Sequence, residues 1–225
     1  MYAATSTQPD IAFPVAISSQ FMRNPGHAHW EEVKDVIRYL KGTADFQLTL
    51  GTSSTRLEAY VDSDWASQPH RHSMSGYTVY LHGSPVAWSA RKQSLIALST
   101  AEAEYIALTA VAREMLYLQA FLEEIYGPVP SPIPIYCDNQ GAITLASNNK
   151  FHARTKHIDI RYHFIRHLIR NRVFDLLYCP TEENIADTFT KALPRLRLQK
   201  LRAALQISPA RGGVLESDIS VSHLT

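Results

Sequence analysis

An α/β fold is predicted by three features of this 225-residue sequence. Between Arg56 and Gln93 apolar and polar residues alternate with a period of two. From Ser99 to Tyr126 the apolar residues recur at helical spacing, and beyond Gly127 short β-like segments alternate with helical ones. The implied order of the main elements is βββαβααβαα.

With 45% hydrophobic and 19% charged residues, the chain carries enough apolar material for one globular domain, or one domain plus a fragment. No apolar run approaches the roughly 18 to 20 residues that span a bilayer. The start, MYAATSTQPD, also lacks the basic and apolar regions of a signal peptide, so the expected location is intracellular (a cytoplasmic particle or the nucleus), with no membrane partner. Cys137 and Cys179 are too few for a disulfide scaffold, lack zinc-site spacing and read as buried, reduced thiols. The net charge of +1 is uneven: residues 148–206 hold 12 Lys/Arg against 5 Asp/Glu. Such a basic half suits a polyanionic partner, and equally a solvated surface.

Each element has a local reason. The first 50 residues read as two amphipathic helices; in HAHWEEVKDVIRYLKGT, Trp30, Val33, Ile37 and Leu40 form a stripe and Gly42 stops the helix. RLEAYVDSD, SGYTVYLHGS and PVAWSARKQ are rich in Tyr, Val and Trp and are separated by turn residues such as Gly76, Gly83 and Pro85, which predicts a three-stranded antiparallel meander. A long helix from Ser99 to about Tyr126 ends at Gly127, before the linker PVPSPIP. The strand IPIYCDN and the short helix NQGAITLAS follow. A basic helix from Thr155 to Asn171 sets His163, Arg166, His167 and Arg170 opposite an apolar stripe of Ile158, Tyr162, Ile165 and Ile169. The strand VFDLLYC leads to helices over 182–193 and 195–206, and the polar stretch from Ser208 onward is expected to be a flexible tail.

Five acids stand at positions that invite chemistry, and all but Glu104 have a bland alternative. In YVDSDWAS, Asp62 and Asp64 share one face of a strand end, which reads evenly as a capped turn or as part of a metal site. Ser99 and Glu102 fit a capping box, whereas Glu104 has no such role. Helical steps from Glu104 reach Leu108, Val111, Met115 and Leu118, placing this acid on the stripe that should face the sheet, where an ionised carboxylate needs a partner. Asp138 closes a strand just before a helix and is either an N-cap or a ligand-binding residue at a strand's C-terminal end. Asp187, early in a helix, favours the helix dipole and is placed to pair with Lys191.

Taken together, YVDSDWA, SGYTVYL, VAWSARKQSLIALSTAEAEY, CDNQGAI, RTKHIDIRYHFIR and NIADTFTKAL resemble the ribonuclease H domain of copia-type LTR retrotransposon Pol polyproteins over about Leu57 to Leu205. QPDIAFPV, HWEEVKDVIRYLKGT and the leucine-containing strand after them resemble the end of the reverse transcriptase that precedes that domain. Pro14 interrupts a segment expected there to be helical. YVDSD is not the Tyr-x-Asp-Asp polymerase motif, because Ser63 separates its acids and the stretch opens a meander. The resemblance divides the chain into residues 1–52 as the reverse transcriptase end, 53–207 as the ribonuclease H-like domain and 208–225 as a tail.

The resemblance implies a five-stranded mixed sheet, three strands antiparallel and two parallel, with helices on both faces. It also implies a catalytic and metal-binding quartet of Asp62, Glu104, Asp138 and Asp187, with Asp64 as a supporting or alternative ligand. Carboxylate oxygens suit two hard divalent cations, Mg²⁺ with Mn²⁺ as substitute. The implied substrate is the RNA strand of an RNA/DNA hybrid, cut to leave 5′-phosphate and 3′-hydroxyl ends, and the implied partner is the reverse transcriptase part of the same polyprotein. Arg91, Lys92, Gln93, Ser99, Thr100, Asn139 and Gln140 are the residues expected to hold the duplex. The histidine common in the loop before the last catalytic Asp is absent from YCPTEENIAD, and His157 in TKHIDI has no assigned role. The competing expectations are a silent retroelement relic that binds nucleic acid without cutting it, and a different nuclease on the same fold.

Overall fold

The computed structural model describes residues 1–51, 57–147 and 156–210, with side chains in the last stretch described from residue 160 onward. Where the sequence predicts one helix before α3, three short segments occur: α1 (Tyr2–Ser6), a 3₁₀ turn (Pro9–Ile11) and α2 (Ala12–Ser19). Pro14 lies in the first turn of α2, where a backbone N–H has no intrahelical acceptor, so it does not break the helix. The helix α3 (His27–Gly42) forms as expected, but its stripe is not its buried face: Trp30 and Ile37 are exposed. The helix is held instead through Tyr39, whose hydroxyl donates to Asp10, and through His29, whose ring stacks on Phe21.

After the short strand β1 (Phe46–Leu48) comes the expected meander of β2 (Glu58–Asp64), β3 (Met74–Leu81) and β4 (Ser84–Lys92). The long helix α4 (Thr100–Tyr126) ends at Gly127, whose φ of +83° is a conformation that L side chains rarely adopt and whose N–H bonds Glu123 O. Then follow β5 (Ile133–Cys137), α5 (Gln140–Ser147), α6 (Lys156–Arg170) and β6 (Phe174–Tyr178). The sheet order is β4-β3-β2-β5-β6, with β4, β3 and β2 antiparallel and β5 and β6 parallel to β2. This is the five-stranded mixed sheet, three strands antiparallel and two parallel, that the sequence resemblance implies.

Side-chain alternation gives the sheet two apolar faces. On one, Ala59, Val61, Val79, Ile133 and Ile135 pack against Leu108, Val111 and Met115 of α4 and Ile165 and Leu168 of α6. Burying each large aliphatic side chain here contributes on the order of 1.5–3 kcal/mol. On the other face Tyr80 joins Ile185, Phe189, Leu205 and Ile207. Arg166, expected on the outer basic face of α6, is instead buried: its guanidinium donates to Leu145 O and lies over the Tyr162 ring, so α5 and α6 are locked together.

The helix expected over 182–193 is replaced by two 3₁₀ turns, Thr181–Glu183 and Ile185–Phe189. Asn184 explains the break. Its buried side chain donates to Val61 O on β2 and accepts from Ala186 N–H, pinning the chain to the sheet between the two turns. The helix α7 (Arg195–Ala204) and the strand β7 (Ile207–Pro209) follow. Ser208 and Pro209, expected to start a tail, pair antiparallel with β1, Ser208 opposite Gln47. The expected boundary at residues 52 and 53, the side chain of His157 and the tail beyond residue 210 lie outside the described residues.

Gly76, opposite Asp62 in the β2–β3 ladder, lets the second 3₁₀ turn lie directly on the sheet. A Cβ there would sit 2.7 Å from both Phe189 Cβ and Thr190 Cγ2 and 3.0 Å from Ala186 O. Gly76→Ala is therefore expected to destabilise the fold by about 1–3 kcal/mol, read as a lower denaturation midpoint in urea.

Candidate active site

Backbone register builds the centre of the site. Along β2, Ala59 and Val61 face α4, so Tyr60 and Asp62 face the other way. Val61 pairs with Cys137 in the parallel β2–β5 ladder, so the next residue on each strand, Asp62 and Asp138, emerge side by side at the strands' C-terminal ends. Glu104 arrives from the start of α4, and its Oε1 accepts a 3.3 Å hydrogen bond from Ser63 N–H. A carboxylate oxygen from each of Asp62, Glu104 and Asp138 lies within 4.8 Å of the other two. They line an open cleft of about 540 Å³ together with Asp64, Trp65, Thr100, Asn139, Gln140, Tyr178 and Lys191.

The capping alternatives separate cleanly. Ser99 Oγ accepts from Glu102 N–H as the N-cap of α4, while the Glu102 carboxylate accepts from Leu98 N–H. Asn139, not Asp138, caps α5, its Oδ1 accepting from Ala142 N–H at 3.0 Å. That leaves Asp138 free to face the cleft, with one oxygen accepting from Thr181 Oγ1 at 2.7 Å. Thr190 Oγ1 donates to Asp62 in the same way.

Asp187 is brought beside Asp62 but is not one of the three clustered acids. It is 0% exposed. Arg197 Nη2 of α7 donates to its Oδ2, and Lys191 Nζ sits 2.7 Å from its Oδ1 and 3.6 Å from Asp62 Oδ2. The Lys191 pairing expected from the sequence is present, although a 3₁₀ turn stands where the helix was expected. Arg197, Thr181 and Thr190 carried no sequence signal for these roles, because hydroxyls in a loop and an arginine on a later helix have no local pattern that marks a distant carboxylate partner.

The residues expected to hold the duplex divide into two groups. Thr100, Asn139 and Gln140 line the carboxylate cleft, and exposed Ser99 lies beside Thr100. Arg91 and Lys92 line a different groove of about 630 Å³ between β3, β4 and α4, with Arg113 across it. Gln93 is buried, its Nε2 donating to Ser75 Oγ and Ala103 O, so it ties β4 to α4 rather than presenting an amide to a ligand.

Electrostatics follow from burial. Glu104 is 4% exposed and is held well above the usual carboxylate range by desolvation and by the Asp62 and Asp138 charges, with Ser63 N–H pulling the other way. Desolvation and Asp62 push Asp187 up to about 7 against the pull of Lys191. Both cysteines are buried and free, and burial together with the Glu104 charge raises the Cys137 thiol. Three converging carboxylates, two of them without a cationic partner in the described contacts, are a donor set that fits a hard divalent cation.

Folding raises Glu104 above its ordinary 4.5, so between that pH and its raised value the folded, metal-free chain retains a proton that the unfolded chain has released. Its stability should fall as pH rises from about 4.5 towards the raised value. Mg²⁺ should reverse that loss, since a divalent cation stabilises the ionised carboxylate. Thermal unfolding is therefore expected to show a larger Mg²⁺-induced rise in Tm at pH 8 than at pH 6.

No protein-family model matches the chain. It is 44% identical over 200 residues to a retrovirus-related Pol polyprotein from the Nicotiana tabacum transposon TNT 1-94, covering 88% of this chain and 15% of that protein. It is 38% identical over 214 residues to the corresponding polyprotein of the Arabidopsis thaliana transposon RE2, covering 93% of this chain and 15% of that one. Among solved structures, it is similar to an LC11 ribonuclease H1 isolated from compost, with a TM-score of 0.45 and 16% identity over 64% of this chain and 96% of that one. The chain thus spans about 15% of the length of these two curated relatives, and over most of its own length it is similar to that portion of retrovirus-related Pol polyproteins from transposons.

Proposed function

We propose that this chain is the ribonuclease H portion of such a polyprotein and hydrolyses the RNA strand of RNA/DNA hybrids. The observation that carries the reading is the convergence of Asp62, Glu104 and Asp138 on one open cleft at the C-terminal ends of β2 and β5. The 38–44% identity of most of the chain to a part of Pol polyproteins supports it.

In this reading Asp62, Glu104 and Asp138 hold Mg²⁺, or Mn²⁺ in its place, and Asp187 completes the set from its position beside Asp62. When bound, divalent cations supply an activated water for attack on phosphorus and stabilise charge on the departing oxygen, a two-ion scheme if both are held. The chain's own contribution is positioning. Thr190 and Thr181 fix the Asp62 and Asp138 oxygens. Asn184 fixes the turn that carries Asp187 to the backbone of β2. Lys191 balances the charge shared by Asp62 and Asp187. Thr100, Asn139 and Gln140 offer hydrogen-bonding groups at the rim to sugar or phosphate, and Arg91 and Lys92 meet phosphates farther along the duplex. Residues 1–52 are read as the end of the reverse transcriptase that precedes this domain, which makes that enzyme the partner.

The second reading, a relic that binds nucleic acid without cutting it, shares the fold and differs in outcome. Cleavage of a labelled RNA/DNA hybrid in Mg²⁺ or EDTA separates them. Wild type should cut in Mg²⁺ and Mn²⁺, leaving 5′-phosphate ends, and should be inert in EDTA. Asp138→Asn keeps the shape and leaves the Asn139 cap intact, so it should lower the rate by more than the roughly 10–100-fold typical of changes outside the ligand set. A folded wild type that binds hybrid but cuts in neither metal supports the relic reading.

A further inference from the structure

The carboxylate cleft has two aromatic residues on its rim that the reading above does not use. Trp65 immediately follows β2, and its indole Nε1–H donates to Ala97 O at 2.9 Å. The turn behind it is also tied down: Ala66 stands at φ +53°, its N–H bonded to Ser73 Oγ, and Ser67 Oγ bonds Asp64 O. The ring is thus fixed in direction, yet it remains 42% exposed. Tyr178, 50% exposed, ends β6 opposite Cys137 and so stands next to Asp138 on the other side of the cleft.

An indole whose N–H is already spent on the backbone offers a neighbour only its apolar face and edge. Solvent exposure of a large ring held rigidly beside a cluster of acids gains the fold nothing, whereas such a surface suits nucleic-acid sugar and base edges, which it contacts without reading sequence. The shallow minor groove of an A-like duplex presents sugars to a protein that approaches one strand's backbone. The rim is continuous with the carboxylates, so whatever strand lies on Asp62 and Asp138 also lies between these two rings.

We propose that Trp65 and Tyr178 form an aromatic rim that seats the sugars of the RNA strand on either side of the bond to be cut, with Trp65 as a substrate-contacting residue. This rests on the hydrolase reading and names the groups that would hold its substrate. The rim binds by shape and apolar contact, so the contribution of Trp65 should be the same for hybrids of different sequence.

Trp65 is one of three tryptophans, with Trp30 exposed on α3 and Trp88 tied to Ala4 O. In a Trp30→Phe, Asp138→Asn protein with Mg²⁺, acrylamide quenching of fluorescence should drop when an RNA/DNA hybrid is added. The drop should vanish when Trp65→Phe is also introduced. Binding measured by anisotropy should weaken roughly tenfold in Trp65→Ala, to a similar extent for two unrelated hybrid sequences, and by about threefold or less in Trp65→Phe. The quenching arm keeps Trp65 itself intact, so it decides the matter even if Trp65→Ala fails to fold. Hybrid that binds the Asp138→Asn protein without protecting Trp65, and that the wild type cuts, would overturn the rim while leaving the hydrolase reading standing. Hybrid that fails to bind the folded protein at all would overturn both.

Discussion

The structure is organised around a repulsion. Asp62, Glu104 and Asp138 are held with their oxygens within 4.8 Å of each other, and two of the three are almost fully buried. At that spacing each pair of full charges would cost roughly 3–4 kcal/mol at an effective dielectric near 20. This is a large part of the 5–15 kcal/mol by which a domain is usually stable. Backbone register forces two of the acids together through adjacent parallel strands, and the start of α4 adds the third. The Lys191 ammonium, hydroxyls from Thr181 and Thr190 and the Ser63 N–H offset part of that repulsion, and the Glu104 carboxyl is held above the usual carboxylate range.

Much of the rest of the chain serves to keep those partners in place. Asn184 stitches the 3₁₀ turn to β2, and Gly76 makes room for that turn. Arg197 on α7 reaches both Asp187 and Thr181 O, so one arginine supports the fourth acid directly and Asp138 through the hydroxyl of Thr181. The helix α7 is in turn gripped by the N-terminal segment. Arg202 lies 4.2 Å over the Phe46 ring and donates to Tyr39, and β7 pairs with β1. A physical path therefore runs from residues 1–51 to the acids, although nothing in the cluster itself belongs to that segment.

The parts of this arrangement legible in the sequence are those with a local period or a local exchange of groups. Alternation in YVDSD put Asp62 on the face opposite Val61, and helical steps from Glu104 to Met115 put that acid inward; both placements are observed. The Asp187–Lys191 pair is also observed, although the helix expected to set its spacing is not. What sequence left hidden depends on tertiary contact. The residues 182–193 have helical composition, but one hydrogen bond from Asn184 to β2 outweighs that weak preference and splits the segment into two turns. Gln93 and Arg166 look like surface polar residues but are buried, their donors bonded to backbone carbonyls of other elements, Ala103 and Leu145. Apolar spacing in α3 predicted a buried stripe, but the helix packs through Tyr39 and His29 instead.

The claim on which the account turns is that Asp62, Glu104 and Asp138 act together as a cation site. Calorimetric titration of Mn²⁺ into the wild-type chain and into Glu104→Gln at neutral pH tests it without relying on turnover. The account predicts saturable binding to the wild type and its loss, or at least a roughly tenfold weakening, in a variant that still unfolds cooperatively. A folded wild type that takes up no Mn²⁺, or a Glu104→Gln chain that binds it equally well, would contradict the account.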